Sequence, residues 1–243
     1  MATRVVRLTI ITDFACVNCC VGHHELLNAI AYCKDILQLP LAFQLEHLPF
    51  RLINTSVLTE DSPKVDKSDF LQKQLGKERF SKLEAGISKW AEEKGIPISF
   101  RGVMSQSTRA HRLCQKAYKI GGQNLQTPLL CAIFKAYMEE GQDVADIQVL
   151  AGLAEGTGTM SSAEAIKFLE SDELVSEVNA MCNEARSKGI TGVPMTIIDG
   201  KWAVSGGQSS DVFVQIFKKL ATPGVHNAPS PFSSPVADTV LVA

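Results

Sequence analysis

The sequence has no apolar run approaching the roughly 18 residues of a membrane-spanning helix, and no long basic stretch. With a formal net charge of -2, the composition carries no electrostatic footprint for nucleic acid. Met1–Arg4 lead straight into Val5–Ile11, a run too short, and too charged at Arg7, for the apolar part of a secretory leader. The expectation is a cytoplasmic protein that touches neither membrane nor nucleic acid. A second Cys-x-x-Cys is missing, and so is any His-x₃-His. The seven cysteines, at 16, 19, 20, 33, 114, 131 and 182, are odd in number, which argues against a full disulfide framework. None is needed, because 243 residues suffice to bury a large core.

Residues 5–12 are β-branched and aliphatic and predict a first strand. Asp13-Phe14-Ala15 reads as a short turn. From Val17 to about Cys33, Val21, Leu26, Leu27, Ile30 and Ala31 recur at helical spacing. Leu41–Leu48 alternates apolar and polar residues, predicting a second strand ended by Pro49. The middle of the chain is helical. Ser68 reads as the cap of a helix carrying Phe70, Leu71 and Leu75. Phe80, Leu83, Ile87 and Trp90 share a face of the next, stopped by Gly95 and Pro97. Further helices are predicted over 108–120, 128–140 and 144–154. Ser161-x-x-Glu164 is a capping box, and Gly189 follows a helix over 172–188 that carries Leu174 and Val175.

Strand character returns at Val193–Ile198, with a tight turn at Asp199-Gly200 and a hairpin partner at Lys201–Ser205. A last helix runs over 209–220. Residues 222–243 contain four prolines and read as a flexible tail. The fold class is α/β. Residues 1–55 and 187–221 make a small mixed sheet with its helices, and 56–186 is an inserted all-helical subdomain, since so long a stretch is no loop.

Cys16-Val17-Asn18-Cys19 stands where the first strand ends and a helix begins. Unpaired amides and the helix dipole stabilise a thiolate there, so the pKa of Cys16 is expected below the free value of about 8.5. Cys16 is then the attacking thiol. Cys19, one turn along, is the resolving one. Gly192-Val193-Pro194 is the second element. A loop proline that merely starts a strand is its plainer explanation, since only about 5–6% of X-Pro bonds are cis.

This order of elements resembles the DsbA-like thioredoxin family: strand, Asp13-Phe14-Ala15, Cys16-x-x-Cys19, helix, helical insertion, then Gly192-Val193-Pro194 before a hairpin. Within it the likeness is to the FrnE-type branch. That likeness extends to Leu48-Pro49-Phe50-Arg51-Leu52, Ser107–Leu113, Phe134–Asp143 and Val204-Ser-Gly-Gly-Gln208. The resemblance implies a thioredoxin-like fold, thiol–disulfide exchange at Cys16 and Cys19, and a cis-proline at Pro194. Val193 and Asn18 would then hold a thiol or disulfide substrate, protein or small molecule. No metal or tightly bound cofactor is implied, and dimers are common among such proteins. The branch usually has Pro-Trp where this chain has Val17-Asn18, and an aromatic residue where it has Cys20.

The superfamily also includes kappa-class glutathione transferases and hydroxychromene-carboxylate isomerases, which carry serine at the position of Cys16. A glutathione-dependent transferase or isomerase, tailoring a natural product, is therefore the alternative. In it, glutathione is the cosubstrate, and Ser210 and Asp211 at the start of the last helix would seat its γ-glutamyl carboxylate. A third option is a zinc module built from Cys16, Cys19, Cys20, His23 and His24, although His23 and His24 read better as helix-surface residues. Cys20, Cys33, Cys114, Cys131 and Cys182 read as core. Arg109 and His111 are candidates for a groove between the subdomains. Trp90 and Trp202 read as core or interface residues, and Glu46 as a proton relay or a solvent-facing residue.

Overall fold

The computed structural model describes residues 3–222; beyond Thr222, the segment read as a tail lies outside the described residues. Four strands, β1 (Arg4–Thr12), β2 (Leu41–Pro49), β3 (Met195–Ile198) and β4 (Trp202–Ser205), form one mixed sheet in the order β2-β1-β3-β4. β1 and β2 are parallel, with Arg4 opposite Leu41 and Thr12 opposite Pro49. Parallel neighbours need a crossover, supplied by α1 (Val17–Ala31) and the π-helical turn Tyr32–Ile36 that closes it. β3 runs antiparallel to β1, and β4 antiparallel to β3. The hairpin between β3 and β4 turns at Asp199 and Gly200, both with positive φ (51° and 68°), as a type I′ turn requires.

The period-2 alternation of β1 decides what lies on each side of the sheet. Val6, Leu8 and Ile10 bury with Leu26 and Ala29 of α1 and with Phe213, Ile216 and Phe217 of α9 (Ser210–Ala221). Each such side chain contributes about 1.5–3 kcal/mol. Ile11 faces the other way, against Phe50, Ala185 and Ile190.

The insertion consists of α2 (Lys67–Leu75), α3 (Lys77–Lys94), α4 (Thr108–Gly121), α5 (Gln123–Met138), α6 (Ile147–Gly156), α7 (Ser162–Glu170) and α8 (Val175–Ser187). It has its own core, including Leu113, Leu129, Ile133, Phe134 and Leu150. Phe14, the N-cap residue Cys16, and Val17, Cys19, Cys20 and Val21 of α1 are embedded in that core. Helix α1 thus belongs to both units: its first turn packs against the insertion and its later turns against the sheet.

Several local expectations are corrected. Asp66, not Ser68, caps α2, its carboxylate accepting the N–H groups of Ser68 and Asp69. Helix α5 begins at Gln123 rather than at 128 and carries Pro128 inside it. That early turn is held by tertiary bonds: Gln126 accepts from the His47 N–H at 2.8 Å and donates to the His47 carbonyl at 2.9 Å. Gln123 accepts from the Leu45 N–H. These side chains satisfy the open edge of β2, which would otherwise be a pairing hazard. Asp146 caps α6, moving it from 144–154 to 147–156. Leu174, expected on the stripe of α8, is its N-cap residue at φ 65°. The capping box at Ser161 and Glu164 is present.

Candidate active site

The site begins where β1 leaves the sheet. Asp13 is fully buried, and its carboxylate organises the turn: it accepts the Ala15 N–H at 3.2 Å and the Leu52 N–H at 2.7 Å. His111 Nε2 lies 3.4 Å away. Burial works to raise the Asp13 carboxyl, but the bonds from His111, Ser107 and Leu52 outweigh it and hold the group below its ordinary value. This turn delivers Cys16 to the N-cap of α1, where no side chain caps the helix and no acidic residue occupies its first turn. The positive end of α1 is therefore left to the Cys16 sulfur.

Cys16 Sγ lies 3.6 Å from the Val193 carbonyl oxygen, and the Val193–Pro194 bond is cis. The Gly206 N–H donates to the Pro194 carbonyl at 2.8 Å. Two glycines let these loops approach α1. A Cβ on Gly207 would meet the Asn18 carbonyl oxygen at 2.9 Å, and one on Gly22 would meet Pro194 Cγ at 3.1 Å. Cys19 sits behind Cys16, only 1% exposed. Its sulfur accepts the Asp13 N–H at 3.5 Å. Burial first, then the hydrogen bond and charge of Cys16, push the Cys19 thiol well up. The two sulfurs are thus within hydrogen-bonding reach, with the inner one kept protonated.

Cys16 lines a cavity between the sheet unit and the insertion. Its walls are apolar, with Leu52, Phe70, Leu75, Phe100, Met104 and Met138 among them. Ala15, Val17, Asn18, Gly192 and Val193 line it on the Cys16 side. Lys67 is the one charged residue in the wall.

Of the residues singled out from the sequence, Cys16, Cys19, Pro194, Val193 and Asn18 come together here. Ser210 and Asp211 do not line the cavity. The Ser210 N–H donates to Glu25 at 2.8 Å, so a carboxylate of the chain itself occupies the seat expected for glutathione. Burial would raise the Glu25 carboxyl, but Lys94, Ser210 and Trp90 bring it down to about 2. That bond to Trp90, 2.9 Å from the indole Nε1, places Trp90 at the junction of α1 and α3. Trp202 is a core residue.

His23 is no surface residue. It is buried, with Nε2 3.2 Å from Cys131 Sγ and its ring edge-on to His47. Cys19 and His23 therefore turn to different partners, and among the described residues no three His, Cys, Asp or Glu side chains are grouped as a metal site requires. His24 is half-buried against Trp90. Cys20, Cys33, Cys114 and Cys182 are core residues, while Cys131 is only half-buried. Arg109 bonds the Ala145 carbonyl and His111 the Phe50 carbonyl, so neither reaches the cavity. Glu46 is half-buried on the face of β2 opposite Leu45 and His47. The acidic residue that meets Cys19 is Asp13 instead, through its backbone N–H.

Sequence reasoning missed Asp13 and Lys67. A lone acidic residue directly after the largely apolar strand ending Ile10-Ile11-Thr12 was the available signal for Asp13. Lys67 gave none, because its position is set by pairing outside the helices, where its N–H donates to the Gly102 carbonyl at 2.8 Å.

Fold and site together define a thioredoxin-like domain carrying a helical insertion and a paired-cysteine centre. The chain belongs to the DSBA-like thioredoxin domain family, whose model matches residues 7–218. Members of that family are thiol–disulfide oxidoreductases. Among solved structures, a probable DsbA oxidoreductase from Streptomyces coelicolor is 26% identical, with 89% of each chain covered and a TM-score of 0.75. The cytosolic disulfide reductase DsbM from Pseudomonas aeruginosa, solved with GSH, shares the fold at 17% identity and TM-score 0.59, over 89% of this chain and 100% of that one. A 2-hydroxychromene-2-carboxylate isomerase shares it at 14% identity and TM-score 0.60, over 88% of this chain and 95% of that one. No curated protein matches the chain.

Proposed function

We propose that this chain is a thiol–disulfide oxidoreductase working through Cys16. The thiolate of Cys16 attacks one sulfur of a disulfide, forming a mixed disulfide and expelling the other sulfur as a thiolate. Cys19 then attacks Cys16 Sγ, closing the Cys16–Cys19 disulfide and releasing the substrate thiol. The proton of Cys19 goes to that departing sulfur. Val193, held beside Cys16, offers its backbone to the substrate in β-like fashion, and Asn18 lines the approach. The observation that carries this reading is the 3.6 Å contact between Cys16 Sγ and the Val193 carbonyl at the mouth of a cavity, with Cys19 buried behind. No tightly bound cofactor enters it. Glutathione fits as a small thiol cosubstrate, and the odd number of cysteines suits a reducing compartment such as the cytoplasm.

The test is substrate trapping. Cys19→Ser is expected to accumulate a mixed disulfide at Cys16, seen by mass spectrometry, while losing turnover. Cys16→Ser is expected to form none and to lose exchange by on the order of a thousandfold. Full exchange activity in Cys16→Ser would overturn the reading. The glutathione transferase or isomerase reading is weaker, because Glu25 already holds the Ser210 amide.

A further inference from the structure

Lys67 presents a charge problem that Cys16 chemistry does not explain. The residue is 2% exposed and lines the same apolar cavity as Cys16. Its ammonium donates to the Tyr137 carbonyl at 2.7 Å and lies 3.6 Å from the centre of the Tyr137 ring. An ammonium has three donors, and among the described residues no partner is recorded for the other two. None of its recorded contacts is to a carboxylate. A buried cation without a counter-charge is expensive to maintain, and a cavity wall is where a ligand can supply one.

The charged and titratable groups around Lys67 do not fill that role. Asp66, next to it in the chain, is exposed and caps α2. Cys20 of α1 is a buried thiol pushed up to about 12, first by burial. Tyr137 of α5 bonds Met104 and Ser105 through its hydroxyl. Burial accordingly pulls the Lys67 ammonium down to about 8, against the opposing pull of Asp66 and Cys20.

We infer that the cavity takes small amphipathic anions: a thiol or disulfide compound with an apolar, ring-sized body against Phe70, Phe100 and Met138, and one acidic group on Lys67. The inference rests on Cys16 being the reacting thiol, and it names the substrate class for that chemistry. A single positive charge in an apolar wall selects one anionic group on an otherwise apolar molecule. A polar peptide, glutathione included, can pair with Val193 beside Cys16, but deeper in the cavity it would leave its backbone groups unpaired against such walls.

The test uses unreactive probes, so that it stands apart from thiol exchange. Naphthalene-2-carboxylate and naphthalene-2-carboxamide are titrated calorimetrically into the full chain and into Cys16→Ser. At pH 7 the carboxylate is expected to bind at least tenfold more tightly than the carboxamide, in both proteins. That preference should fade at pH 9.5, where the probe stays ionised and Lys67 does not. Lys67→Met should abolish the preference while keeping carboxamide binding, and Lys67→Arg should keep the preference at pH 9.5. Equal binding of the two probes to the full chain at pH 7, or a preference that survives in Lys67→Met, overturns the inference. If Lys67→Met does not fold, the pH dependence of the unaltered chain decides. A failed trapping experiment with a sound carboxylate preference would sink the redox role of Cys16 alone.

Discussion

Two sulfur–nitrogen groupings lie along helix α1, and their fates differ. At its first turn, Cys16 and Cys19 meet bare helix amides, the Val193 carbonyl and an open cavity. Two turns on, His23 reaches Cys131 at 3.2 Å beside His47, inside packed protein. There, among the described residues, His23 Nδ1 and both ring nitrogens of His47 have no hydrogen-bond partner. Burial holds the His23 imidazole well below its ordinary value and brings His47 down to about 4, so the charged form of both rings is disfavoured. A thiol next to a histidine is reactive when the pair can separate charge. The second grouping cannot, because desolvation disfavours the imidazolium. Side-chain chemistry is similar at the two places; the helix terminus and the desolvation of the two imidazoles set them apart.

The contrast makes the Asp13 turn the most vulnerable point of the first grouping. Asp13→Asn keeps one acceptor oxygen but sets an amide donor against either Leu52 or the Ala15 and His111 pair, and should lower stability by about 2–4 kcal/mol. Denaturant midpoints check this, and an unchanged midpoint would mean that the turn holds without the charge.

The second grouping should show itself through pH. A neutral buried histidine takes a proton more readily when the chain is unfolded, so its stabilising effect is complete above about 6.5. It is then lost as pH falls toward the folded value of about 4. His47→Leu should reduce the stability lost between pH 6.5 and 4 by about 2–3 kcal/mol, measured by denaturation at several pH values. Glu25, held near 2, has the same sign in a lower window: its contribution is complete above the ordinary carboxylate value and is lost as pH falls from there toward 2, so the two windows are separable.

The smallest effect is expected at Cys131. Cys131→Ser should leave exchange activity within about twofold. A large loss would mean that the two groupings act as one relay and that the distinction drawn between them is wrong.

Much of this was visible in the chain, for local reasons. The alternation in β1, the helical spacing after Cys16 and the capping box at Ser161 are short-range patterns, and they placed the elements within a few residues. Pro128 misled because the turn before it is secured by Gln123 and Gln126 against β2, a contact between distant segments. His23 misled because its neighbours in sequence, His24 and Glu25, are polar, while its neighbours in space come from β2 and α5.

The sequence by itself determined that a cysteine pair would sit at a strand-to-helix junction, because hydrophobic periodicity and the Cys-x-x-Cys spacing are properties of adjacent residues. Only the tertiary structure decided which charges were stranded and which were paired. It buried Asp13 with donors, gave the amide of Ser210 to Glu25, and left Lys67 in an apolar wall. Desolvation depends on everything packed around a group, and that packing is assembled from segments far apart in the chain.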